Sequence, residues 1–162
     1  MLPLPLTKLL EVYRGDDFQP LYTTTVDVWG GEERHGRASG IARSDDGSLN
    51  LELRLPTALG GPGGGTNPEQ LFAAAYGTAF HGAIKLLATK HDIEVPDMSL
   101  SVTVTLGRDP ADGRFCLNAH IVIRLPGLER PLAEQLVRET ERICSYPKLS
   151  RQGAKISVRV ET

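Results

Sequence analysis

Between Gln70 and Ile84 the chain carries no fixed charge, and small side chains dominate: Ala73, Ala74, Ala75, Gly77, Ala79, Gly82 and Ala83. A helix that is apolar almost all round is buried on every side. Small side chains imply that other backbone elements approach it closely. Its start is well marked, since Thr66 can cap, Pro68 lies in the first turn and Glu69 completes a capping box. The helix is expected to end near Lys90, and it reads as too short and too rich in small residues to be a membrane span.

Three extended segments precede it. Leu21–Trp29 alternates imperfectly up to Gly30-Gly31, and Arg37–Arg43 returns. Ser48–Leu55 sets Leu49, Leu51, Leu53 and Leu55 against Asn50, Glu52 and Arg54, the pattern of a half-buried strand. Asp45-Asp46-Gly47 is a strong hairpin turn. The glycine run from Gly60 to Gly65 invites a phosphate-cradle reading, but it lacks the Lys-Ser/Thr of a P-loop and dinucleotide GxGxxG spacing. A tight backbone crossing, where only glycine fits, is the preferred reading.

Beyond the helix, Met98–Arg108 and Arg114–Leu125 are two more strands joined by a turn. A second helix spans about Arg130 to Ile143, with Leu132, Leu136, Val137 and Ile143 as its stripe, and Cys144-Ser-Tyr-Pro147 stops it. Ala154–Glu161 alternates Ile156, Val158 and Val160 as a final strand. The order is α+β with antiparallel hairpins. Residues 1–20 read as an N-terminal extension whose short amphipathic stretch, Thr7 to Tyr13, can dock on the body or on a second subunit, and residues 21–162 as one domain. A helix this thoroughly apolar needs more cover than a monomer supplies, so an obligate homodimer with two such helices meeting centrally is expected.

Composition narrows the function classes. The 162 residues hold 18 Lys+Arg against 20 Asp+Glu, a net charge of −2, which gives no electrostatic footprint for nucleic acid or an anionic membrane. Two cysteines, Cys116 and Cys144, are too few for a disulfide scaffold or a Cys-rich zinc site, and His35, His81, His91 and His120 show no ligand spacing, so no metal is expected. The N-terminus has no basic region ahead of its apolar residues and reads as no signal peptide, so a cytoplasmic location with free thiols is expected.

Residues 59–85, LGGPGGGTNPEQLFAAAYGTAFHGAIK, resemble the signature of the organic hydroperoxide resistance (Ohr) subfamily of OsmC-like proteins. LYTTTVDVWGG resembles that family's first strand, SDDGSLNLELRLP its third, and LPGLER the lead into its second helix. Cys144-Ser-Tyr-Pro147 followed by Arg151 resembles its CPYS region. Only residues 1–20 and the connection near 32–42 fall outside.

The resemblance implies an intertwined α+β homodimer, an antiparallel sheet wrapped around a long buried central helix, with two active sites at the subunit interface. It implies a thiol peroxidase that reduces organic, often fatty-acid-derived, hydroperoxides to alcohols. Its implied partners are a hydrophobic peroxide and a dihydrolipoyl reductant on a lipoylated protein, with no bound cofactor. A peroxidatic cysteine on the buried helix becomes a sulfenic acid, and a second cysteine resolves it. A buried thiolate needs a nearby cation, and guanidinium suits because it stays charged and forks to several acceptors.

Carried over residue by residue, Cys144 matches the resolving cysteine and Glu69 the glutamate that orients the arginine. Arg37 or Arg34 matches the arginine, with Arg37 slightly preferred because it begins the returning strand. Phe72, Phe80 and Tyr146 are the implied pocket residues. The departure is at the nucleophile: the family's AACF reads Gly77-Thr78-Ala79-Phe80, so Ala79 stands at the peroxidatic position. Replacement of a cysteine or natural loss of it are both open, the latter leaving a non-catalytic binder or sensor of hydrophobic ligands. Cys144 is the runner-up nucleophile, poorly placed at a helix C-terminus. Cys116 reads as a small strand residue, and His81 as a structural histidine rather than a base. Glu69 and Ala79 are ten residues apart, so a shared arginine is expected to require a break after Glu69 or a glutamate that folds back from a non-helical start.

Overall fold

A computed structural model describes residues 9–32 and 39–161. The elements are β1 (Val26–Trp29), β2 (Ser39–Ser44), β3 (Asn50–Arg54), α1 (Pro68–Lys90), β4 (Ser99–Arg108), β5 (Phe115–Arg124), α2 (Arg130–Ile143) and α3 (Ser145–Gln152). The chain forms two compact units. Of the described residues, a sheet unit holds 13–32, 39–73 and 104–118, and a helical unit holds 9–12, 74–103 and 119–161.

In the sheet unit β1, β2 and β3 form an antiparallel meander, with Trp29 opposite Ile41 and Ala42 opposite Leu51. The Asp45-Asp46-Gly47 turn is tied down by Asp46, whose carboxylate accepts from the Ser44 and Ser48 hydroxyls at 2.6 and 2.7 Å. Those two hydroxyls, Ser44 first, hold its pKa down at about 2. The glycine run is the expected backbone crossing. A Cβ at Gly61 would collide with the Leu55 carbonyl, and one at Gly65 would lie 2.8 Å from the Glu52 carbonyl oxygen. That closeness lets Thr66 pair with β3, its amide donating to Glu52 and its carbonyl accepting from Arg54, at 2.9 and 2.8 Å. Thr66 is therefore occupied by the sheet, and the helix cap passes to Asn67, whose Oδ1 accepts from the Gln70 amide at 2.9 Å.

α1 is a single continuous helix of 23 residues, long and apolar enough by length and composition to cross a bilayer. Here it buries one face, Tyr76, Phe80, Ile84, Leu87 and Ala88, with Ile84 fully enclosed. Complete burial of a side chain that size stabilises by roughly 1.5–3 kcal/mol. The expectation of burial on every side does not hold within one chain, because Ala74, Thr78 and Gly82, spaced at i+4, are exposed.

In the helical unit α2 rests on Leu136 and Thr140, 2% and 0% exposed, the threonine hydroxyl donating to the Leu136 carbonyl. Leu132 and Ile143, expected in the apolar stripe, are open to solvent. Two further expectations fail. Cys144-Ser-Tyr-Pro147 does not simply stop α2: Pro147 sits in the first turn of α3, where a missing N–H costs nothing. Ala154–Glu161 is not a strand, since it joins no strand ladder among the described residues and Ile156, Val158 and Val160 are 80–88% exposed. Alternation marks a segment able to extend, but a strand needs an edge to pair with.

Because the cap lies at Asn67 and not at Thr66, Asn67→Ala is expected to cost about 1 kcal/mol in urea unfolding. Thr66→Ala, which leaves the backbone pairing intact, is expected to cost clearly less.

Candidate functional site

Ala79 projects from the face of α1 that also carries Gly82, Ala83 and Leu86. Because three of these four side chains end at Cβ or lack one, the helix leaves space beside it. That space is a solvent-open cavity of about 490 Å³, lined also by Lys85, Thr89, Ile143, Cys144, Ser145 and the N-terminal Leu9 and Leu10. Its size is within the range that holds one small organic molecule. Ala79 and Cys144, 65 positions apart by number, thus line one cavity within the helical unit.

Cys144 is 5% exposed and free. Its amide donates to the Thr140 carbonyl at 2.9 Å, closing α2, and the same residue precedes the first turn of α3. The sulfur is therefore flanked by the negative end of one helix and the positive end of another, so its placement is not the simple C-terminus that the sequence implied. Arg151 fastens α3 to α2, its guanidinium donating to the Glu141 carbonyl at 3.0 Å. Lys85, on the cavity wall, donates from Nζ to the Val95 carbonyl at 2.6 Å.

The same unit holds an aromatic cluster. Tyr76 stacks on Phe80 with centroids 6.3 Å apart and meets Tyr146 edge-on at 5.6 Å. Phe80 is 2% exposed and Tyr146 packs on Tyr76, and neither lines the cavity. Tyr76 went unnoticed in the sequence, where it reads as one more apolar helix residue. Burial, then the nearby Cys144, pushes its phenol pKa up, while a hydrogen bond from Ser150 and the Arg151 charge act the other way.

The remaining expected site residues lie elsewhere. Glu69 and Phe72 belong to the sheet unit, half-buried in the first turns of α1. α1 is neither broken after Glu69 nor preceded by a non-helical glutamate, so Glu69 and Ala79 are separated by roughly 15 Å of helix rise. Arg34 and Arg37 fall outside the described residues. The residues flanking them, Gly31, Glu32 and Ser39, line a second cavity of about 560 Å³ with Trp29, Arg54 and Pro62. Cys116 is half-buried on β5 in the sheet unit, and His81 is half-buried on α1. Among the described residues no group of three His, Cys, Asp or Glu side chains could hold a metal ion.

Against known proteins, the family description "OsmC-like protein" matches residues 61–159. The chain is 33% identical over 141 residues to the organic hydroperoxide resistance protein OhrB of Bacillus subtilis, covering 87% of this chain and 98% of that protein. Among solved structures it is similar to an organic hydroperoxide resistance protein of Legionella pneumophila, with a TM-score of 0.73 and 38% identity over 83% of this chain and 93% of that one. A putative organic hydroperoxide resistance protein of Vibrio cholerae, with captopril bound in one of its active sites, gives a TM-score of 0.74 at 30% identity, covering 86% and 91%.

The raised phenol pKa of Tyr76 predicts that its ionisation lies above the ordinary tyrosine range. Its neutral form favours the fold, a contribution present below the unfolded pKa and lost as pH rises through the folded one. An ultraviolet difference titration is expected to lose its most alkaline component in Tyr76→Phe.

Proposed function

This chain belongs to the OsmC-like protein family, and from that premise we propose that it keeps the scaffold of an organic hydroperoxide reductase from which the attacking thiol is missing. The observation that carries this reading is the common cavity of Ala79 and Cys144. With cysteine at position 79 the chemistry balances. The thiolate attacks the distal peroxide oxygen, the O–O bond breaks, and the alkoxide leaves as alcohol after taking a proton. The resulting sulfenic acid condenses with the Cys144 thiol to a disulfide, releasing water. An external dithiol of the dihydrolipoyl type, free or carried on a lipoylated protein, then reduces that disulfide and is itself oxidised. No bound cofactor enters.

The cavity lining favours an alkyl peroxide over hydrogen peroxide, since apart from Lys85, Thr89, Cys144 and Ser145 it consists of Leu, Ile, Ala and Gly side chains. A cytoplasmic setting suits the two free thiols.

We place the guanidinium of Arg37 or Arg34 beside position 79, oriented by Glu69, but not with all three groups from one copy. One arginine cannot reach two points roughly 15 Å apart on a straight helix while contacting both. A homodimer removes the difficulty, with Glu69 and its arginine from one chain facing position 79 of the other. The open stripe of Ala74, Thr78 and Gly82 and the exposed apolar residues of the C-terminal segment support such an assembly. Sedimentation at twice the chain mass is expected, and sedimentation as a monomer counts against it.

A second reading draws on the same apolar cavity: the chain as it stands binds a hydrophobic molecule without redox chemistry. Fatty-acid-like ligands are then expected to raise its melting temperature. The first reading is tested with Ala79→Cys. This variant is expected to reduce cumene hydroperoxide with dihydrolipoamide, and to form an intrachain disulfide with Cys144 on peroxide treatment, seen as a loss of two thiols. The unaltered chain is expected to show neither. A folded Ala79→Cys protein without turnover rejects the reading.

A further inference from the structure

Tyr76 is a buried titratable group that the reaction above does not use. Of the polar side chains in the charge-free run of α1, Gln70 and Thr78 are exposed and His81 is half-buried; Tyr76 is buried, at 8% exposure. Phenylalanine fills such a space with less to desolvate, as Phe80 does on the same helix, so a phenol buried here needs a bonded partner. That partner stands on another helix. The Ser150 hydroxyl reaches the Tyr146 carbonyl at 3.0 Å and also bonds the Tyr76 phenol, while the Tyr76 ring meets Tyr146 edge-on at 5.6 Å. Tyr146 and Ser150, four residues apart, share one face of α3. One side chain of α1 therefore holds α3 at two points a turn apart.

α3 has little else to hold it. It is eight residues long, too short to be stable alone, and Pro147 is its one buried residue. Arg151 ties it to α2 through the Glu141 carbonyl, and Tyr76 ties it to α1. On α1, Tyr76 stands three residues before Ala79, so the two are neighbours on the helix surface. Cys144 stands two residues before Tyr146. The brace thus joins the turn of helix that carries position 79 to the junction that carries the sulfur.

We propose that Tyr76 is a positioning residue for Cys144: through Tyr146 and Ser150 it holds the α2–α3 junction so that the sulfur stays on the cavity that position 79 lines. The inference deepens the reductase reading, in which two sulfurs must meet after each attack on peroxide, and rests on it for the use made of that contact. The bracing itself does not depend on peroxide chemistry. Burial first, and then the nearby Cys144, push the phenol pKa up, which puts phenol and sulfur within electrostatic reach; Glu141 acts in the same sense and Arg151 against it.

The test uses the full chain with Ala79→Cys and Cys116→Ser, so that positions 79 and 144 hold its two thiols. Equilibration with oxidised and reduced glutathione forms their disulfide while glutathione disulfide is reduced to two thiols. The equilibrium position gives the effective concentration of one protein thiol at the other. Tyr76→Phe and Ser150→Ala are each expected to lower that concentration several-fold, and the combined variant no further than either alone, because both delete the same bond. Ser150 is exposed, so its variant keeps the test decisive should Tyr76→Phe not fold. With Ala79 unaltered, Cys144→Ser is expected to move the Tyr76 ultraviolet titration to lower pH, since it removes the thiolate that opposes the phenolate; a tyrosine that only fills space titrates unchanged. Unaltered effective concentrations in folded variants, additive losses, or an unmoved titration overturn the proposal. A disulfide that depends on Tyr76 in a protein that does not turn over cumene hydroperoxide leaves the positioning role standing and overturns the reductase reading. Turnover that persists with effective concentrations indifferent to Tyr76 does the opposite.

Discussion

Side chains that stop at Cβ are the constraint on which this molecule depends. Ala79 and Ala83, with Gly82 between them, give α1 a narrow waist on one side, and the α2–α3 junction lies across from it without filling it. Larger residues at those positions would close the cavity. The adjoining line of α1, Tyr76, Phe80, Ile84 and Leu87, does the reverse, anchoring the helix through bulk. One helix thus performs two tasks on two faces, and the absence of fixed charge from Gln70 to Ile84 follows from both.

The second half of the site is made by a helix junction. Cys144 closes α2 by donating its amide to Thr140 and stands immediately before α3, while Arg151 returns to the Glu141 carbonyl. The sulfur is fixed by backbone hydrogen bonds on both sides rather than by a flexible loop, which suits a residue that must stay close to a partner position. Tyr76 joins this junction to α1 through its edge contact with Tyr146 and its hydrogen bond from Ser150.

Much of this was legible in the residues. The charge-free run gives α1 and its end at Lys90, the Asp-Asp-Gly turn gives the β2–β3 hairpin, and the glycine run gives the backbone crossing at Leu55 and Glu52. Ala79 and Cys144 came from motif resemblance, and their meeting in one cavity could not have come from spacing alone. The failures share a cause: local patterns do not reveal which partner wins. Thr66 has the chemistry of a cap but is taken by β3, leaving Asn67 to cap. Pro147 reads as a stop, yet a proline in a first turn starts a helix as readily as it ends one. Ile156, Val158 and Val160 alternate correctly but pair with no sheet edge among the described residues. Leu9 and Leu10 lie in the amphipathic stretch Thr7 to Tyr13, which marks them as able to dock, but the pattern does not say onto what.

The central claim is that Ala79 and Cys144 line one accessible, mainly apolar space. A crystal pressurised with xenon tests it directly, because xenon occupies apolar cavities and is displaced from hydrated ones. The account predicts a xenon atom in contact with both side chains. Ordered water filling that space, or a xenon-free contact between the two elements, would contradict it.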